Sequence, residues 1–204
     1  MKITFLGHAA LHIQTDAHSL IVDPFISGND LARGRINLED LPADFILLTH
    51  AHQDHVLDVE AIAARTGAMI ISNYEIVSYY QQKGFEGHPL NHGGARYFDF
   101  GWLKYVNAVH TSSFADGTYG GQPGGFLLKC GGKMLYLAGD TALHMDMKLI
   151  PLYGKPDLAV LPIGDNFTMG PDDALRAVKL IEPKRVVPIH YDTFEVIKQD
   201  PKAW

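Results

Sequence analysis

A chain of 204 residues, 47% hydrophobic and 20% charged, is long enough to bury a sizeable core, and we read it as one domain spanning residues 1–204. Its formal charge of −6, from 17 Lys and Arg against 23 Asp and Glu with no cationic block, argues against a nucleic-acid backbone or an anionic membrane as partner. The lone cysteine, Cys130, excludes an internal disulfide framework and any Cys-rich zinc module; it fits a reducing compartment and is expected to pack as a small hydrophobe.

The first segment, MKITFLGHAALHIQTD, has only short apolar runs broken by histidines and reaches a carboxylate at Asp16. It reads as neither a signal peptide nor a membrane span, and the expected location is the cytoplasm. KITFLGH, ALHIQT and SLIVDPF carry strand signals interrupted by Gly, Asp and Pro, and suggest an antiparallel opening. From residue 43 the rhythm changes to strand, loop, helix. DFILLTH leads into VLDVEAIAART, and AMIIS into NYEIVSYYQQKG, where Asn73 suits a helix N-cap and Gly84 a helix stop. A middle β section follows, with RYFDF, LKYVNAVH, GGFLLKC and KMLYLAGD separated by Gly-rich turns. Within it, GTYGGQPGG (117–125) is a loop and a candidate active-site rim. The last third returns to strand and helix: DLAVLPIG, a helix over about 172–181 entered through Gly170 and Pro171, then RVVPIH. β meanders and βα units repeated in both halves imply sheets covered by helices, an α/β (α+β) architecture.

The polar residues fall in a pattern. FILLT is followed by His50, KYVNAV by His110, MLYLAG by Asp140, DLAVLPIG by Asp165 and RVVPI by His190. Strand ends in βα architectures share an edge, so five potential ligands can converge. The local motif THAHQDHVLD (49–58) is more specific. With 11 His and 17 Asp in the chain, HxHxDH arises by chance in roughly 3 of 1000 random orderings, so a structural origin is a weak explanation. In an extended segment His50 and His52 point the same way and can bind one ion. Asp54 and His55 follow as the chain bends and can serve a second.

HAHQDH together with His110, Asp140 in AGDT and His190 in PIH resembles the complete ligand set of the metallo-β-lactamase superfamily. FLGHA, VDPF, LAGDT, LPIGDNFTMGP and IHYDTF look most like a branch of small metal-dependent hydrolases related to ascorbate 6-phosphate lactonase. The resemblance covers nearly the whole chain. It implies a four-layer αββα sandwich with metals at one edge between two sheets, and two divalent metal ions per chain. Zn2+ is the expected ion, and Mn2+, Ni2+ or Fe2+ suits the same donors. By position, His50, His52 and His110 would hold the first metal, Asp54, His55 and His190 the second, and Asp140 would bridge. Relatives of this branch continue for a short segment past the equivalent of Trp204, and those near the lactonases can assemble, so a homo-oligomer is an expectation.

The expected chemistry is hydrolysis of an ester-type bond (lactone, phosphodiester or thioester) in a small molecule by a metal-bridging hydroxide, with Asp54 or Asp140 orienting it. His8, at the end of the first strand, is placed by the resemblance near the metals, to contact substrate or a ligand residue. Asp23 in VDPF is a candidate carboxylate partner for a ligating imidazole, or a turn-forming Asp-Pro. Asp165, Asn166 and Thr168 in GDNFTMG suit an oxyanion or phosphate group, with helix capping by Thr168 or Asp172 as the ordinary alternative. His92 and His144 fall outside the branch pattern and are expected to be exposed imidazoles. Competing readings are a di-iron redox enzyme on the same fold, a non-catalytic metal-binding module and a nucleic-acid-processing relative. The first resembles a pattern with Glu at the position of His52 plus a flavin domain for which 204 residues leave no room. Against the second, no ligand position is lost. Against the third stand the acidic balance and the lack of an inserted accessory domain.

Overall fold

Residues 46–48 set the architecture. Alternate side chains of a strand point to opposite faces, yet Ile46, Leu47 and Leu48 are all fully buried, so their sheet is covered on both sides. A computed structural model describes residues 1–204 and shows how.

The first half forms a six-stranded sheet in the order β1 (Lys2–Gly7), β2 (Ala10–Gln14), β3 (Ser19–Val22), β4 (Phe45–Leu47), β5 (Met69–Ser72) and β6 (Gly87–Pro89). β1 to β3 pair antiparallel as a meander, and β3 to β6 pair parallel. The second half repeats the plan with β7 (Ala95–Phe98), β8 (Gly101–Asn107), β9 (Gly124–Cys130), β10 (Lys133–Leu137), β11 (Leu158–Pro162) and β12 (Val186–Ile189). Here β7 to β10 are antiparallel, and β10 to β12 are parallel. The helices are α1 (Gln53–Val56), α2 (Val59–Thr66), α3 (Tyr74–Gln82) and α4 (Pro171–Ile181). A 3-10 stretch, Met145–Tyr153, was not anticipated from sequence; it contains Pro151, which cannot supply the N–H that a continuous α-helix needs.

Three apolar layers separate these elements. Between the sheets, Ile13, Leu20, Leu47 and Ile71 meet Leu103, Tyr105, Phe126, Leu128 and Leu137. Ile46 and Leu48 face outward onto Val59 and Ile62 of α2 and Ile76 and Tyr80 of α3. On the other side, Leu127, Tyr136 and Leu161 meet Met147, Ile150 and the α4 residues Ala174, Ala177 and Ile181. The α4 spacing of i, i+3 and i+7 is the apolar stripe of a helix lying on a sheet. This is the four-layer αββα sandwich expected from sequence.

Local signals act as read. The Asn73 side chain accepts from the Ile76 N–H and caps α3. Cys130 is a buried free thiol. α4 is entered through Gly170 with Pro171 at its first position, which corrects the capping role considered for Thr168. No helix is long and apolar enough to cross a membrane.

Leu128 is fully buried between the sheets, so truncation leaves a cavity that neither rigid layer can collapse to fill. Leu128→Ala is expected to lower unfolding free energy by about 2–5 kcal/mol, against less than about 0.5 kcal/mol for Tyr97→Ala at an exposed edge position. Urea denaturation followed by circular dichroism measures both.

Candidate metal centre

The buried run of β4 ends at Leu48, and the next residues carry the polar groups out of the sheet edge. His52 is extended (φ −65°, ψ 146°) and begins α1, the single helical turn that carries Asp54 and His55. The bend anticipated at Asp54 is therefore helical, and it turns both side chains back toward the sheet. His110 follows β8, Asp140 follows β10 and His190 follows β12. The turn before Asp140 needs Gly139: its φ is +63°, and a Cβ there would stand 2.6 Å from Thr49 Cβ.

All seven residues expected as metal ligands come together. Donor atoms of His50, His52 and His110 lie within 4.8 Å of one another, as do those of Asp54, His55 and His190, and those of His50, His55 and Asp140. Asp140 sits between the two groups. Its Oδ2 is 2.9 Å from His190 Nε2, 3.6 Å from His110 Nε2 and 3.9 Å from His50 Nε2, and its Oδ1 is 3.4 Å from His55 Nε2.

These donors fit metal ions better than they fit one another. His55 Nε2 and Asp140 Oδ1, both facing into the cluster, are buried without a hydrogen-bond partner, an arrangement that protein interiors rarely tolerate. His50 Nε2 and His52 Nδ1 stand 3.1 Å apart, close to the ~3.3 Å edge of a tetrahedron with nitrogens about 2.0–2.1 Å from its centre.

Asp23, buried beneath the motif, fixes which imidazole atoms are free. Its Oδ1 accepts the Thr49 N–H at 2.8 Å and its Oδ2 accepts the Thr49 hydroxyl at 2.7 Å. Oδ2 also lies 3.0 Å from His55 Nδ1, which must donate, so that the neutral imidazole keeps its lone pair on Nε2. Because the Thr49 hydroxyl proton is committed to Asp23, its oxygen accepts from His50 Nδ1 at 3.0 Å, again leaving Nε2 free. His8, fully buried, places Nε2 3.0 Å from Asp54 Oδ2 and Nδ1 2.9 Å from the Thr193 hydroxyl. Its donor atom also lies within 4.8 Å of those of Asp54, His55 and His190. Of the two contacts considered for it, the one with a ligand residue is present.

Sequence reasoning missed Thr49, Thr193, Asp58 and Ser112. The first directly precedes His50, and the second lies in the IHYDTF motif, but neither hydroxyl's partner is local. Asp58 accepts the N–H groups of Ile26 and Ser27, pinning the loop after Asp23. Ser112 accepts the Ala51 N–H and donates to the Gly120 carbonyl. The Gly-rich loop therefore packs on Ala51, between His50 and His52. Asp165, Asn166 and Thr168 do not join the cluster. Asp165 and Asn166 are exposed at φ of +61° and +51°, Asp165 accepts the Asn166 N–H, and Thr168 donates to the Met169 carbonyl. His92 and His144 are half-buried rather than exposed, and both line a separate cleft. Larger clefts of about 600 and 470 Å³ surround the far ends of the second sheet, near Trp102 and Lys133, away from the histidine cluster.

Without metal the cluster holds protons. Burial opposes the charged form of His190, but the Asp140 carboxylate outweighs it and raises His190 to about 9. Burial likewise opposes charge on His55, and Asp140 and Asp23 together hold it well above its ordinary value. Burial and the charge on His55 push His50 well below. Burial disfavours the Asp140 carboxylate, yet His190 and His55 hold its pKa well below the usual range.

These shifts bracket the stability of the metal-free protein. A raised histidine stabilises fully below about 6.5 and loses that contribution as pH rises through about 9. Lowered histidines such as His50 and His8 act oppositely, because the unfolded chain takes up their protons below about 6.5. Metal-free protein should therefore be most stable near pH 6.5, and His190→Asn should flatten the alkaline limb. Thermal unfolding in chelator from pH 5 to 10 checks both; a wild-type Tm still rising between pH 7 and 9 would contradict the assignment.

The description "Beta-lactamase superfamily domain" belongs to the family model that matches residues 2–190. The chain is 60% identical over 200 residues to a UPF0173 metal-dependent hydrolase of Christiangramia forsetii, covering 98% of this chain and 88% of that one. It is 48% identical over 204 residues to a UPF0173 metal-dependent hydrolase of Thermus thermophilus, covering 100% and 89%. Among solved structures it resembles Igni18, described as a novel metallo hydrolase from the archaeon Ignicoccus hospitalis, with a TM-score of 0.89, 38% identity and coverage of 98% and 87%.

Proposed function

Because the chain belongs to the metallo-β-lactamase superfamily and is a metal-dependent hydrolase, we propose that it holds two divalent ions and cleaves an ester-type bond in a small molecule. Lactones, phosphodiesters and thioesters are the candidate substrates. The observation that carries this reading is Asp140, a buried carboxylate facing His50, His55, His110 and His190 at once, so that two ions can share it. His50, His52 and His110 would hold the first ion, Asp54, His55 and His190 the second, and Asp140 would be shared between them. When bound, such ions polarise the scissile group and lower the pKa of water. Zinc suits the His-rich donor set, and manganese, nickel and iron are compatible with it.

The two carboxylates divide the remaining work by exposure. The Asp140 side chain is 2% exposed and acts as a fixed negative charge. Asp54 is 26% exposed, so it is the carboxylate that water and substrate reach. Its Oδ2 is held by the His8 Nε2–H, and His8 is in turn oriented by Thr193, which keeps the Asp54 carboxylate in one rotamer to orient the attacking water. Phe194, its ring 5.5 Å from that of His8 and 6.4 Å from that of Phe25, is exposed and offers an apolar surface beside His8 for the hydrocarbon part of a small ester. The acidic balance, with no cationic block, favours such a substrate over nucleic acid.

Elemental analysis of metal-replete protein should find about two divalent ions per chain; fewer than one would overturn the dinuclear reading. His50→Ala and Asp140→Ala should each reduce kcat/KM on the responsive lactone, phosphodiester or thioester by at least ~100-fold, since even partners of metal ligands are worth 10–100-fold. Activity surviving both substitutions would refute the site.

Asp23→Asn separates orientation from ligation. An asparagine presents an N–H₂ where three donors now converge on a carboxylate, so metal affinity should fall about 10–100-fold while the fold is kept. Competition against a chromophoric chelator reads the affinity, and an unchanged value would show that Asp23 has no such role.

A further inference from the structure

The His110 ring makes no hydrogen bond. His50 and His55 have their Nδ1 atoms fixed by Thr49 and Asp23, whereas Asp140 Oδ2 stands 3.6 Å from His110 Nε2, beyond hydrogen-bond range. Strand pairing does not carry His110 either. The β8–β9 ladder ends with Asn107 opposite Gly124, and His110 lies past that end, in the loop that joins the two strands. A ligand imidazole is ordinarily aimed by a hydrogen bond at its other nitrogen. Here the aim must come from the backbone.

That backbone is held on both sides of His110. Just before it, Val109 is gripped twice: its N–H donates to the Thr141 hydroxyl at 3.0 Å, and its carbonyl accepts the Ala142 N–H at 3.0 Å. The Thr141 proton goes to the Ala142 carbonyl at 2.8 Å, so the oxygen is free to accept. Just after it, the Ser112 hydroxyl accepts the Ala51 N–H at 3.1 Å and donates to the Gly120 carbonyl at 2.9 Å. Both residues are buried, Thr141 fully and Ser112 at 7% exposure. The destinations of these bonds give them meaning. Thr141 directly follows Asp140, and Ala51 separates His50 from His52. Each hydroxyl therefore ties the His110 segment to a segment carrying other donors of the same group.

On the two-ion reading above, we propose that Thr141 and Ser112 are positioning residues for the first ion: their hydroxyls hold the His110 backbone where its ring meets the donors of His50 and His52. Thr141→Val keeps the shape of the side chain but removes the acceptor of the Val109 N–H. Only the bond from Ala142 to Val109 then remains on that side, and the segment can pivot about it. Ser112→Ala frees the other side from Ala51.

Stepwise Zn2+ titration against a chromophoric chelator tests this. Wild-type protein is expected to take up two ions, and the step weakened or lost in His110→Ala identifies the first position. In both Thr141→Val and Ser112→Ala that step should weaken about 10–100-fold, the loss typical of groups that orient a ligand. The other step should move less than about twofold. Thr141→Ser, which retains the hydroxyl, should restore wild-type affinity. A merely structural role would lower the Tm of the chelator-treated variants and leave both zinc affinities where they were. Should Thr141→Val not fold, Ser112→Ala carries the test alone. Unchanged affinity at the His110-dependent step in either folded variant, an equal loss at both steps, or no restoration by Thr141→Ser would overturn the assignment. Wild-type protein binding fewer than one ion would overturn the two-ion reading itself, and this assignment with it.

Discussion

The candidate metal centre depends on one buried carboxylate, Asp23, that lies outside its groups of donor atoms. Asp23 receives the Thr49 N–H, the Thr49 hydroxyl and the His55 Nδ1–H, and through Thr49 it also orients His50. An imidazole offers its lone pair from one nitrogen at a time, and the hydrogen bond made by the other decides which. Asp23 therefore settles the tautomer of one histidine in each of the two donor groups. It does so from the end of β3, beside β4 in the same sheet, so the relation between the two histidines is fixed by strand pairing.

That explains why the fold needs two sheets of this order. β3 and β4 deliver Asp23 and the HxHxDH segment from the first sheet, while β8, β10 and β12 deliver His110, Asp140 and His190 from the second. The cluster closes only if the sheets keep their register across the inter-sheet core. Two contacts hold the edge directly: the Tyr105 hydroxyl of the second sheet donates to the Thr49 carbonyl at 2.7 Å, and the His190 N–H donates to the His8 carbonyl at 2.8 Å. Core packing and site geometry are thus one problem, and the hydrophobic residues between the sheets act on the candidate site by setting the spacing of its donor groups.

What could be read in the sequence was whatever is encoded in neighbouring residues. The HxHxDH spacing, the alternation in the strands, the Asn73 cap and the Gly170–Pro171 helix entry are local, and the structure has each of them. His110, Asp140 and His190 were legible because each directly follows an apolar strand, a position with a topological meaning. Thr49 and Thr193 were not, since a threonine beside a histidine becomes informative only when a carboxylate 26 residues away, or a histidine 185 residues away, is known to face it. The GDNFTMG turn misled for the opposite reason. Its polar residues satisfy their own turn, with Asp165 and Asn166 in left-handed conformations that serve the chain reversal. His144 was unreadable because its burial comes from the irregular 3-10 stretch, which has no periodic signature.

The backbone around the cluster shows how strongly it is constrained. Of the seven non-glycine residues with positive φ, His8 (55°), Asp23 (44°) and His190 (56°) bear on the metal centre. Left-handed conformations cost side-chain-bearing residues roughly 1–2 kcal/mol each, and nothing local at these positions repays that cost. His8 and His190 are tied by the hydrogen bond between their backbones, and their rings lie 4.2 Å apart. Asp23 is held by the three hydrogen bonds it accepts. Each strained residue is thus fixed by contacts that cross between strands, and each strand end turns its side chain inward, His8 toward Asp54, Asp23 toward Thr49 and His55, and His190 toward Asp140. His55 Nε2 and Asp140 Oδ1, buried without hydrogen-bond partners, add a further local cost that the sandwich holds in place. Divalent ions at these positions would relieve the unpaired donors and the crowded charge together, so ion binding and folding stability must be linked.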